Sequence, residues 1–134
     1  MGVKYVLDAH PLIWYLEGNP RLSSTAKSLM DDPSSDLVLP AIALAEALHV
    51  VAKGRTAIPN PAGLLSDVTV EPRIEIYPLT VDILRESLKA NTIPEMHDRL
   101  ITATAMFLQN QGNSVVLVTR DPVIAAANLV SVVW

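Results

Sequence analysis

The sequence has no cysteine, few charges and no long hydrophobic run. The absence of cysteine among 134 residues excludes disulfide bonds and thiolate metal sites. Charged residues make up only 18% and hydrophobic residues 50%, a balance that excludes an intrinsically disordered chain. No run of about 18 uninterrupted apolar residues occurs, so we expect no membrane span. The N-terminus lacks the pattern of a secretion signal, and we therefore expect a cytoplasmic protein.

Basic and aromatic residues are scarce as well. The net charge of −4 argues against a protein that binds nucleic acid by bulk electrostatics, unless bound metal neutralises some carboxylates. Aromatic residues make up 4% of the chain, too few for a broad base-stacking platform. The length fits one domain over residues 1–134 with a core of its own.

What is present is an alternation of strand and helix patterns. Strands are predicted at 3–7, 36–40, 73–79, 114–118 and 129–133. Helices are predicted from Pro11 to Leu16, from Ser23 or Ser24 to near Asp31, over 41–53 up to Gly54, near 64–68, after the capping residue Thr80, over 98–111 and at Pro122. Strands separated by helices call for parallel pairing, so we predict an open α/β sheet with helices on both faces.

Two aspartates follow buried strands directly. Asp8 ends the first strand, and Asp121 comes shortly after the strand 114–118. Ligands of open α/β sheets bind at the carboxyl ends of the strands, where both side chains would lie. Each Asp is also a good helix N-cap, and Pro122 stands at the first helical position. The sequence leaves both readings open.

Two further acids stand on predicted helices. Glu46 has almost only apolar neighbours, and an unpaired buried carboxylate there would cost several kcal/mol. It also shares a polar helix face with His49 and Lys53, at spacings of three and seven residues, and such a face is compatible with solvent exposure as well as with a site. Asp98 opens its helix near Thr102 and is either a first-turn acid or a member of a site.

Together the four acids are more informative than separately. Carboxylates gathered without a cation raise one another's pKa, and a divalent ion removes this conflict. Oxygen ligands without cysteine favour Mg²⁺ or Mn²⁺ over structural zinc. Ions held in this way activate water and stabilise the transition state of phosphodiester hydrolysis.

Four segments carry a family resemblance: "YVLDAHPLIWYLEGNPRLS", "ALAEALHVVAKG", "IPEMHDRLITATAMFL" and "VVLVTRDPVI". They resemble PIN-domain ribonucleases, and most closely the toxin half of VapBC toxin–antitoxin modules. The likeness covers nearly the whole chain, and the order Asp, Glu, Asp, Asp is specific as a set. It implies a PIN-like three-layer fold with a central, mainly parallel sheet. It also implies a Mg²⁺- or Mn²⁺-dependent endoribonuclease with an RNA substrate, a small antitoxin partner and a homodimeric state.

The resemblance also implies roles for single residues. Asp8, Glu46 and Asp98 would hold the metal and activate water, and Asp121 would complete the site, directly or through a second or water-bridged ion. Thr119 would orient a carboxylate or a water. One departure is visible at Ala9, because family members commonly carry Thr or Ser directly after the first Asp.

Other residues near the acids have alternative readings. Arg99 and Arg120 would clamp a phosphate, or else are ordinary surface ion-pairing residues. Trp14 and Tyr15 would stack a base, although on an apolar helix we favour packing, as we do for Trp134. His10 and His97 stand beside site acids, and we favour local hydrogen bonds for both over metal ligation.

Two competing functions come from the same residues. A phosphotransferase that carries phosphate on Asp8 is disfavoured, because His10 replaces the second Asp of the usual Asp-x-Asp pattern. A non-catalytic PIN-fold scaffold for RNA or protein is the other alternative. Divalent-metal binding at the acids separates it from a nuclease.

Overall fold

A five-stranded parallel sheet forms the centre of the computed structural model, which describes residues 2–134. The strands are β1 (Val3–Leu7), β2 (Asp36–Pro40), β3 (Ile74–Tyr77), β4 (Ser114–Val118) and β5 (Ser131–Val133), in the spatial order β3-β2-β1-β4-β5. All four neighbouring pairs are parallel. The predicted α/β fold with a parallel sheet flanked by helices is confirmed.

Seven α-helices connect and flank these strands in the described chain. They are α1 (Ala9–Glu17), α2 (Ser24–Asp31), α3 (Ala41–Ala52), α4 (Pro61–Val70), α5 (Val81–Ser87), α6 (Met96–Asn110) and α7 (Pro122–Ala127). No helix within residues 2–134 is long and apolar enough to span a membrane.

Some predicted boundaries were wrong by a few residues. The third strand is shorter than 73–79, because a turn that bonds the Ile74 amide to the Glu71 carbonyl precedes it and Pro78, which has no amide hydrogen, follows it. The last strand begins only at Ser131, after Asn128 has ended α7 in a left-handed conformation. The first helix begins at Ala9 rather than Pro11, because Asp8 caps it.

The order of the strands places a crevice beside β1. From β1 the chain moves outward through β2 and β3, and then returns to the other side of β1 to add β4 and β5. Such a reversal is the point where ligands bind in open α/β sheets. The register pairs Leu7 with Val118, so Asp8 and Thr119 emerge side by side at this edge.

Helix α3 places Glu46 at the margin of the core. Its buried residues Ala43, Leu44, Ala47 and Val51 form a stripe with helical spacing, which packs into the interior. Glu46 lies on the flank of this stripe and is therefore half-buried, whereas His49 is exposed.

Candidate active site

Asp8 is a buried carboxylate with two partners. It is only 6% exposed. Its Oδ1 accepts a hydrogen bond of 2.7 Å from the Ala9 amide, which caps α1, and its Oδ2 accepts one of 2.7 Å from the Thr119 hydroxyl. Burial raises the pKa of Asp8, and these two hydrogen bonds partly oppose the shift. The N-cap reading of Asp8 is therefore right, and it does not keep this carboxylate out of the crevice.

Thr119 connects the two strand-end aspartates. It is 1% exposed, and its hydroxyl oxygen accepts a hydrogen bond of 3.0 Å from the Asp121 amide while donating to Asp8. Asp121 in turn caps α7, accepting from the Val123 amide at 2.8 Å. A hydroxyl thus contacts the first Asp even though Ala9 provides none, and it comes from the neighbouring strand.

Glu46 carries the one buried side-chain oxygen without a hydrogen-bond partner among the described residues. This atom is Oε1. Burial first, and then the negative charge of Asp8, raise the pKa of Glu46. A buried acceptor without a hydrogen-bond partner lowers the stability of the fold. A ligand bound at this atom would remove that cost.

Asp98 lies in the first turn of α6 and titrates near neutrality. Burial raises its pKa to about 7, with further contributions from the hydrogen bond and the negative charge of Asp121. The negative charge of Asp121 thus disfavours ionisation of Asp98. The Thr102 hydroxyl does not reach this carboxylate and donates instead to the Asp98 backbone carbonyl at 2.8 Å.

Glu95 was not predicted from the sequence. This residue caps α6 by accepting a hydrogen bond of 2.8 Å from the Asp98 amide, and it also bonds His97 Nδ1 at 2.7 Å. Burial opposes ionisation of Glu95, but these hydrogen bonds outweigh it and lower the pKa of its carboxyl group. Its signal was an acid three residues before Asp98, but Glu is an uncommon N-cap.

These side chains line one cavity of about 460 Å³. Its walls contain Asp8, His10, Trp14, Glu46, Glu95, Asp98, Arg120, Asp121 and Pro122. All four acids singled out from the sequence are present. Their functional roles stay predictions.

The two arginines of the sequence analysis have different places. Arg120 lines the cavity, with its guanidinium carbon 5.8 Å from the centre of the Trp14 ring. Arg99 does not line the cavity, because its Nε donates to the Ile93 carbonyl at 2.8 Å and so ties α6 to the preceding loop. Tyr15 also lies elsewhere, and its hydroxyl donates to Asp31 at 2.8 Å.

The donor set of the cavity suits a hard cation that keeps part of its water. Within residues 2–134, no three His, Asp or Glu side chains have the spacing to ligate one ion together. Mg²⁺ commonly binds through one or two carboxylates and several waters. The unpartnered Oε1 of Glu46 offers such an ion an acceptor. Burial raises the pKa values of Asp8, Glu46 and Asp98, and a bound cation would favour their charged forms.

Solved structures with the same fold come from toxin–antitoxin systems. VapBC2 from Rickettsia felis, bound to a DNA fragment from its promoter, is 16% identical with a TM-score of 0.73, covering 98% of this chain and 99% of that one. A toxin–antitoxin complex from Klebsiella pneumoniae is 21% identical with a TM-score of 0.67, covering 97% and 96%. VapC20 from Mycobacterium tuberculosis, a toxin that cleaves the Sarcin–Ricin loop, is 14% identical with a TM-score of 0.66, covering 92% and 95%. At these identities the likeness shows the fold.

Sequence comparison defines the family. No curated protein shows significant sequence similarity to the chain. The sequence profile of the PIN domain, however, matches residues 5–128, from the middle of β1 to the end of α7. This match includes all four acids and most of the chain. The chain belongs to the PIN-domain family.

Proposed function

We propose that the chain is a divalent-metal-dependent endoribonuclease and the toxin of a toxin–antitoxin pair. The observation that carries this proposal is the meeting of Asp8, Glu46, Asp98 and Asp121 around one cavity at the strand-order reversal. Such a cluster is unfavourable without a cation. A cation bound there would also give the Oε1 of Glu46 the partner that it lacks among the described residues.

Mg²⁺ or Mn²⁺ would be held among Asp8, Glu46 and Asp98, with one or two of these carboxylates in direct contact and the rest reached through waters on the ion. Asp121 would contribute directly or through water. When bound, the ion supplies positive charge that stabilises the charge developing on the scissile phosphate. It would also offset the repulsion between an RNA phosphate and a chain of net charge −4.

The other contributions come from the protein. The Thr119 hydroxyl holds Asp8 in one orientation. Asp98, whose pKa is about 7 without the ion, would lose its proton when the ion binds. Arg120 lines the same cavity and offers planar N–H donors to a phosphate.

The toxin assignment is supported by relatives rather than by the cavity. VapC20 is a Sarcin–Ricin loop cleaving toxin, and two other matched structures are toxin–antitoxin complexes. By analogy, a small antitoxin would bind this chain over the cavity in the cytoplasm.

We also propose a homodimer of single-domain chains. The exposed apolar residues Val81, Leu84 and Leu88 on and just beyond α5 are a candidate contact, and light scattering at micromolar concentration should give a dimer mass.

The direct test uses purified chain on total cellular RNA, with Mn²⁺ or with EDTA, followed by mapping of new 5′ ends. We expect discrete cuts that depend on the metal. The variant Asp98→Asn should fold and lose cleavage. Asp82→Asn is its matched control, because Asp82 is also a first-turn acid but pairs with Arg85 on the surface, and it should cleave normally.

Two results would contradict the proposal. Cleavage by Asp98→Asn at the wild-type rate would remove the site assignment. A folded chain that neither cuts RNA nor binds Mn²⁺ in a calorimetric titration would indicate a PIN-fold scaffold instead.

A further inference from the structure

Trp14 stands at the rim of the acidic cavity. It lies on α1, is half-buried, and lines both this cavity and a neighbouring groove of about 440 Å³ that also contains Asn19 and Pro20. The interior of the protein therefore covers only part of the indole ring. Its remaining surface separates two concave spaces, one of which contains the candidate catalytic acids.

Two aromatic neighbours hold the indole ring in place. Trp134 packs against it edge-on, with ring centres 5.8 Å apart and planes at 65°. His10, one turn earlier on α1, has its ring centre 5.6 Å away at 51°. An aromatic ring fixed in this way needs little further ordering to receive a flat ligand.

Arg120 lies over Trp14 instead of pairing with an acid. Its guanidinium carbon is 5.8 Å from the ring centre, and the side chain is exposed. Within residues 2–134 it forms no ion pair or hydrogen bond, although five carboxylates line the same cavity. Its planar N–H donors are thus available to a ligand.

We infer that Trp14 and Arg120 form a subsite for one unpaired nucleobase of the RNA, next to the scissile phosphate. This inference rests on the proposed function for its choice of RNA. The base stacks on the indole or guanidinium plane, and the guanidinium donates hydrogen bonds to the adjoining phosphate. Such stacking requires a base that is not paired, so the subsite selects single-stranded or looped RNA.

The subsite binds any of the four bases more tightly than it binds an abasic position. Stacking uses the π-face that all four bases share. Target choice would therefore come from RNA shape at this position. The packing role that we favoured for Trp14 from the sequence explains its buried part but not its cavity-facing part.

The test measures binding of two probes to the full chain with Mg²⁺ present. Asp98→Asn prevents cleavage, and Trp134→Phe leaves Trp14 as the sole source of indole fluorescence. One probe is a single-stranded hexa-adenylate, and the other is the abasic ribose-phosphate oligomer of the same length. We expect hexa-adenylate to quench Trp14 fluorescence and to bind about tenfold or more tightly than the abasic oligomer.

Substitutions provide the second measurement. Trp14→Leu should weaken hexa-adenylate binding about tenfold, and Trp14→Phe should restore most of it because an aromatic face remains. Phe107→Leu is the matched control, since Phe107 is also half-buried and packs on Tyr77 away from the cavity. It should leave binding unchanged.

Equal affinity for both probes would overturn the inference, as would unquenched fluorescence at saturation or unchanged binding by Trp14→Leu. The proposed function can fail separately. A chain that cuts no RNA but still prefers hexa-adenylate through Trp14 would retain the subsite and lose the nuclease. A chain that cuts RNA but binds both probes equally would retain the nuclease and lose the subsite.

Discussion

At the scale of single residues, the cavity combines satisfied and unsatisfied buried groups. Thr119 and Asp8 satisfy each other through one short hydrogen bond. Glu46, on helix α3 at the same cavity, keeps an oxygen with no partner among the described residues. The first kind of group stabilises the fold, and the second kind lowers stability unless a ligand is bound.

Thr119→Val tests the satisfied group. The change keeps the volume but removes the hydroxyl that donates to Asp8 and accepts from the Asp121 amide. We expect a loss of about 1–3 kcal/mol in the free energy of unfolding, because both partners stay buried. Urea unfolding measures it, and RNA cleavage should fall as well.

Thr104→Val is the matched control for this change. Thr104 is 2% exposed, and its hydroxyl donates only to the Leu100 carbonyl of the same helix, at 2.9 Å. It should cost less than Thr119→Val and leave cleavage intact. Equal effects of the two substitutions would mean that the strand-end hydroxyl has no special role.

Glu46→Met tests the unsatisfied group. Without metal, removal of a half-buried carboxylate with an unpartnered oxygen should raise the free energy of unfolding by about 1 kcal/mol, while cleavage is lost. Unfolding by urea in EDTA measures the first effect. Glu86→Met should destabilise instead, because the oxygens of Glu86 bond Asn110 at 2.7 Å and Lys89 at 3.0 Å. A destabilised Glu46→Met would contradict the ligand reading of this oxygen.

At the scale of elements, helix α1 connects the acid at its start to the aromatic ring on its last turns. It ends at Gly18, whose φ of +64° is left-handed and whose amide bonds the Tyr15 carbonyl at 3.2 Å. The next amide, of Asn19, bonds the Trp14 carbonyl at 2.8 Å. The end of this helix therefore depends on a backbone conformation that few residues adopt without strain.

Gly18→Ala should destabilise the protein by about 1–2 kcal/mol through backbone strain alone. An added Cβ at this position meets no atom within 4 Å, so no steric clash contributes. Thermal unfolding measures the loss. Gly18→Asn should cost less, because Asn tolerates the left-handed region, and equal losses would point to a cause other than backbone conformation.

Strands were predicted best where the hydrophobic pattern and the pairing of the backbone end at the same residue. The strands at 3–7, 36–40 and 114–118 have the predicted bounds, because each is an apolar run that stops at a polar residue or proline. The strand at 73–79 was overestimated, since alternation of charged and apolar residues continues past the point where the backbone can pair. The alternation of strands and helices then sufficed to predict a parallel sheet, but not its strand order.

The candidate site was predictable only in part. Asp8 and Asp121 follow from strand ends, whereas the partners of a side chain depend on distant contacts that a single sequence does not record. Arg99 and Arg120 look alike beside their acids, yet one bonds a loop carbonyl and the other lies over Trp14. Glu95 escaped notice because its role as a helix cap is unusual for its residue type.

At the scale of the whole molecule, the carboxylates couple stability to pH. In the absence of metal the pKa of Asp98 is about 7, above its ordinary value of 3.8, so the folded state binds this proton more tightly than the unfolded state. Its contribution to stability is therefore full below about pH 4 and is lost as the pH rises towards 7. Asp8 and Glu46 act in the same direction.

This coupling predicts a difference between wild type and Asp98→Asn. In EDTA, the free energy of unfolding of wild type should fall relative to that of the variant as the pH rises from 4 to 7. Saturating Mn²⁺ should then stabilise wild type more at pH 7 than at pH 5, because the ion competes with the protons. Parallel pH curves for the two proteins in EDTA would contradict the raised pKa of Asp98.

The register of β1 against β4 also sets the order in which the site becomes complete during translation. Asp8 leaves the ribosome more than a hundred residues before its partner Thr119 and the acid Asp121. A nascent chain that has reached only α6 carries three of the four acids and lacks the strand that holds the first of them in place. The cavity can therefore form only after β4 has emerged. Until then the nascent chain contains no assembled site that could act on the RNA of the cell.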